Sequence, residues 1–203
     1  MEILLGKGAL TKGREEDNWT PLHFAAKNGH ASVVEILLGR GASVQASTRF
    51  GTSPLHFAAA NGHVSVVGIL LGKGALIEAM NEDNWTPLHS AAANGHASVV
   101  DILLEKGALI EAMQSDNWTP LHLAAGIGHT GVVEILLGKG ASIEAVNTSN
   151  KTPLQVAAQR HHTNIVKLLD HKATNYHKAT KVADHGNSAW ALMASYFGGG
   201  GGN

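Results

Sequence analysis

The chain has 203 residues, 44% of them hydrophobic, with 15 Lys and Arg against 16 Asp and Glu and no cysteine. It is long enough for a sizeable core, and disulfides, thiolate metal sites and a cysteine nucleophile are excluded. A formal charge of −1 supplies no global field that would steer the chain to nucleic acid or to an acidic membrane. No apolar run reaches the roughly 18 residues of a membrane span.

The remaining oddities, 24 glycines and 13 histidines, have one cause: the sequence repeats. Pro21, Pro54, Pro87, Pro120 and Pro153 stand 33 residues apart, in TPLH, SPLH, TPLH, TPLH and TPLQ. Gly-His recurs at 29–30, 62–63, 95–96 and 128–129, followed by His161-His162. EILLGKGA at Glu2 returns as EILLGRGA, GILLGKGA, DILLEKGA and EILLGKGA. Nine of the 13 histidines thus occupy two positions of one unit, so their number reflects repetition and not a metal cluster.

In chain order, residues 1–16 read as half a unit, a second helix and the finger after it. Met1 aligns with Val34, Val67, Val100, Val133 and Val166, in the middle of that helix. The start has no basic leader, and a secretory signal is not expected. The chain is expected to be a piece of a longer protein.

Five complete units follow, 17–49, 50–82, 83–115, 116–148 and 149–181. In the first, Thr20 caps a helix that opens on Pro21, where a missing N–H costs nothing. Leu22, Ala25 and Ala26 form its apolar side, and Asn28-Gly29 ends it. Val33, Val34, Ile36, Leu37 and Leu38 give a second apolar helix, closed by a left-handed cap at Gly41. Some ten residues later comes Asn18, Gly51, Asn84, Asn117 or Asn150, a choice that predicts positive φ. Asn18, Asn84, Asn117 and Asn150 also open formal glycosylation sequons, which read as turn residues. The fifth unit becomes polar, with Gln155, Gln159, Arg160, His161, Lys167, Asp170 and His171, and Ala173 replaces the cap glycine. Residues 182–197 read as a degenerate helix, and 198–203 as a flexible Gly-rich tail.

One such helix pair cannot bury its own Val/Ile/Leu face, whereas stacked copies can. With its 33-residue period and Thr-Pro-Leu-His text, the chain resembles the ankyrin repeat family over residues 2–178. The resemblance implies an all-α solenoid of stacked helix-turn-helix units with β-hairpin-like fingers. It also implies a structural role for His23, His56, His89 and His122, hydrogen-bonded to the neighbouring Thr or Ser. Asparagine hydroxylation, another family feature, is not expected, because Gln45, Glu78, Glu111 and Glu144 occupy the matching places.

Motifs for chemistry dissolve on inspection. Gly126 to Gly131 spells GxGxxG but falls between two helices, where dinucleotide binding needs a strand before it. His161, His162, His171, His177 and His185 are partly out of register and form the one candidate zinc or catalytic group; without evident carboxylate support they read as a solvated cap. No enzyme activity, metal or cofactor is expected.

The resemblance implies a non-catalytic protein-protein interaction module, a fragment of a larger scaffold, adaptor or regulatory protein, binding on a concave face of finger tips and first helices. Mapped onto the variable positions, the candidate partner-binding residues are Trp19, Trp85, Trp118, Phe50, Asp17, Glu82, Asp83, Asp116, Lys151, Met80 and Met113. Trp is enriched in binding hot spots, but each Trp here could equally pack flat on its neighbour's finger. Acids around the Trp positions, with Glu78, Glu111 and Glu144 counted among them, suit a basic or aromatic extended segment of another protein. A cytoplasmic or nuclear monomer is expected, with no nucleic-acid partner and no membrane insertion.

Overall fold

A computed structural model describes residues 17–174. The half unit expected at 1–16, the helix expected at 182–197 and the tail lie outside the described residues. Among the described residues the helices form in pairs: α1 Pro21–Lys27 and α2 Ala31–Gly39, α3 Pro54–Ala60 and α4 Val64–Gly72, α5 Pro87–Ala93 and α6 Ala97–Glu105, α7 Pro120–Ile127 and α8 Thr130–Gly138, then α9 Pro153–Gln159 with the helix that follows it. A last helix, α10, runs over 163–174 of the described residues.

Each first helix starts for the same local reason. Thr86 stands in extended backbone, φ −95°, and its hydroxyl accepts from the backbone N–H of His89 while the His89 ring reaches back to the Thr86 N–H. This reciprocal cap satisfies two helix-terminal donors, and Pro87 fills the first helical position. Thr20, Ser53, Thr119 and Thr152 build the same box, the last with Gln155 in place of histidine.

First helices pack side by side in one layer and second helices in another. The core lies between them and repeats: Leu22, Ala25, Ala26, Val34 and Leu37, then Leu55, Ala58, Ala59, Val67 and Leu70, and so on to Ile165 and Leu169. Paired alanines let the layers approach closely, and each enclosed leucine contributes roughly 1.5–3 kcal/mol of burial.

The turn between the helices explains the Gly-His text. Gly29, Gly62, Gly95 and Gly128 have φ between 71° and 103°. A Cβ on Gly95 would lie 2.6 Å from Nδ1 of His129, the histidine one unit on. That ring packs over the turn because its Nε2–H donates to the Ala93 carbonyl at 3.0 Å. In the fifth unit the glycine is replaced by His161, still at φ 61°. The left-handed cap also disappears there: at Ala173 the helix runs on, since alanine resists the positive φ that Gly140 adopts at 93°.

Asn18, Asn84, Asn117 and Asn150 have φ of 55–58°, and Gly51 has 74°, as their residue types predict. No strand occurs among the described residues. The hairpin character of a finger is confined to its closing bonds: Asn81 N–H donates to the Trp85 carbonyl at 3.1 Å, and Trp85 N–H to Asn81 Oδ1 at 2.8 Å. Fingers are linked in series instead, Arg49 N–H to the Asp17 carbonyl, Glu82 to Phe50, Ser115 to Asp83 and Thr148 to Asp116.

Candidate functional site: the finger tips and first helices

The four first-helix histidines hold the face together. Nδ1 of His89 accepts from the Thr86 N–H at 3.2 Å, so the ring proton sits on Nε2, which donates to the Trp118 carbonyl at 3.1 Å. His23, His56 and His122 do the same toward Thr52, Trp85 and Lys151. Each ring thus carries the finger of the next unit. Burial pushes all four imidazoles below their ordinary pKa, and His89 down to about 4, against a smaller opposing pull from carbonyls such as that of Trp118. A second proton would have to enter on Nδ1, where two donors already point.

The predicted tryptophans are half-buried, between the two readings the sequence left open. Trp19 packs 4.9 Å from the Phe24 ring of its own unit and 4.5 Å from Phe57 of the next, with Lys27 Nζ 5.5 Å over its face. Trp118 lies under Arg160, 5.7 Å away, and against Gly126, where a Cβ would come within 3.3 Å of the indole. Trp85 has the imidazole of His89 at 6.2 Å. The indoles therefore bridge the row of finger tips and the row of first helices.

Along the finger tips, Phe50, Met80 and Met113 are exposed, as are Asp17, Glu82, Asp83 and Asp116. Arg49 lies over the Phe50 ring at 4.7 Å and meets Asp17 at 3.5 Å. Lys151 is half-buried, its carbonyl taken by His122. Two acids counted with the surface belong to the scaffold: Glu78 Oε1 accepts from Leu109 N–H at 2.9 Å, and Glu111 from Ser142 N–H at 2.8 Å. An unpaired backbone donor on the next finger claims the carboxylate first.

Sequence reasoning passed over Phe24 and Phe57. Their position reads Phe, Phe, Ser90, Leu123 and Val156 down the units, a variation inside an otherwise constant helix that was a usable signal. Of the out-of-register histidines, His162 donates to the Gly126 carbonyl at 3.0 Å, while His177 and His185 lie outside the described residues. Among the described residues no three His, Asp or Glu come together as a metal site. Gly126 to Gly131 is a helix end, a turn and a helix start.

Capped helix pairs, a shared two-layer core and serially linked fingers define a helical repeat solenoid. Family descriptions agree: that for ankyrin repeats in three copies matches residues 43–114 and 109–180, and that for a single ankyrin repeat matches 17–49. The chain belongs to the ankyrin repeat family, whose members are in general protein-protein interaction modules. Comparison with curated proteins gave no match.

Proposed function

We propose that the chain is a non-catalytic binding module, part of a larger scaffold, adaptor or regulatory protein. It presents the face of finger tips and first helices to an extended basic or aromatic segment of a partner protein. The supporting observation is the line of exposed apolar side chains on that face. Phe24, Phe50, Met80, Met113 and Val146, spread over the first four units, are 43–54% exposed. They accompany the half-buried indoles on a scaffold whose helix starts are satisfied by the caps and whose first-helix histidines are bonded to the next finger. Such a surface binds by preformed shape. No helix among the described residues is long and apolar enough to cross a membrane.

The test uses random twelve-residue peptides displayed against the whole chain. Met80→Glu and Met113→Glu should each abolish capture of the enriched peptides with helicity unchanged. Ile36→Glu, on the second-helix layer, should leave capture intact. Peptides that respond to Ile36 and ignore Met80 and Met113 would place binding on the other side and refute the reading.

A further inference from the structure

Each of the three indoles of this face has the same two places from which a side chain can reach it. One is eight positions on, at the end of its own first helix. The other is 42 positions on, at the C-terminal end of the first helix of the next unit. Trp19 is covered from the first place by Lys27, and Trp118 from the second by Arg160. At Trp85 the two places hold Ala93 and Ile127, and no Lys or Arg of the described residues lies over the ring. Around it the charge is acidic. Glu82, Asp83 and Asp116 are exposed on the adjoining finger tips, and no Lys or Arg of the described residues pairs with them.

We infer that Trp85 receives a cationic side chain, arginine or lysine, from the partner segment, which does in trans what Lys27 and Arg160 do in cis. The inference rests on the proposed binding face and selects the basic partner over the aromatic one. An indole face attracts a cation through its quadrupole. A bound chain crossing the finger tips brings its backbone past Met80 and Met113 and its cation between Trp85 and the three carboxylates. The flanking indoles already hold their own cations, so the partner's charge is read at the middle unit. This also gives the two apolar residues a function: Ala93 and Ile127 leave the ring without a cation of its own where a lysine or arginine would supply one.

The displayed-peptide selection decides the point. Enriched peptides should carry an arginine or lysine, and its replacement by norleucine should weaken binding about tenfold. Trp85→Leu should do the same. Ala93→Lys is the sharper variant, because Lys27 shows that lysine is accepted at this position. It should place a cation over Trp85 and weaken binding about tenfold, whereas Ala93→Gln, similar in reach and neutral, should not. Unchanged affinity in Ala93→Lys, or face-binding peptides without a basic residue, would overturn the inference while leaving the binding face in place. Peptides insensitive to Met80→Glu and Met113→Glu would overturn both.

Discussion

At the scale of single residues, the histidines and turn glycines carry contacts between units as well as within them. His89 is the most strongly depressed of the four buried imidazoles. Its folded form stays neutral down to about pH 4, whereas the unfolded chain binds a proton below about 6.5. Its contribution is therefore complete above pH 6.5 and falls away as the pH drops toward 4, by ~3 kcal/mol at about 1.4 kcal/mol per pH unit. Gln155 already makes the same cap without a titrating group, its Oε1 accepting the Thr152 N–H at 3.0 Å. His89→Gln should then lower the urea midpoint at pH 7, through loss of the bond to Trp118, but shrink the difference between pH 7 and pH 4.5. The two glycine rows separate in a similar way. Gly107, at φ 93°, has nothing within 4 Å of a built Cβ, while Gly95 has the His129 ring at 2.6 Å. Gly107→Ala should cost about 1–2 kcal/mol of left-handed strain. Gly95→Ala should cost clearly more, and equal midpoints would show that the ring yields freely.

At the scale of elements, the fingers hold a correctable defect. Gln45 bonds the next finger twice, its Nε2–H to the Gly74 carbonyl at 2.7 Å and its Oε1 from Leu76 N–H at 3.3 Å. Glu78, one unit on, makes the second bond, but its Oε2 is buried without a partner. A buried acceptor left unsatisfied costs about 1–3 kcal/mol. Glu78→Gln should turn that oxygen into a donor facing Gly107, the counterpart of Gly74, and raise the thermal midpoint; a fall would show that the carboxylate is hydrated in place. Helix starts, turns with positive φ and the core stripe were legible in the sequence because each is set by residues within a few positions. The site was legible only in part. Whether Glu78 is free, or Trp19 covered, depends on residues 31 and 38 positions away on the next unit. The text of one unit looks the same whether or not its neighbour carries Phe57, Arg160 or Ile127. Contacts of that range also explain why the exposure of three equivalent tryptophans stayed open until the units were stacked.

At the scale of the molecule, stability is distributed by neighbours. Each interior unit is held on both sides by a first-helix histidine, a turn histidine and a finger bond, as at His56 to Trp85, His96 to Ala60 and Glu78 to Leu109. A stack of this kind behaves as a one-dimensional array in which end units lose half of these couplings. Hydrogen exchange should accordingly be slowest over residues 85–140, with protection declining toward both ends of the described stack. Uniform protection would indicate a single cooperative block.

The turn at His161 gives the stack a direction. At the four earlier boundaries the incoming imidazole occupies the space where a turn Cβ would stand, 2.6–2.8 Å from it. The fifth unit has a Cβ in that space, held at φ 61°. Another unit bearing the same histidine could seat on this side only if its ring found a different home or its turn a different path. The face of the fifth unit is therefore less open to such a copy than the four before it. An array lengthened by design at this end would need glycine restored at position 161, to free the space for the incoming ring, and at position 173, to end the helix and turn into a finger.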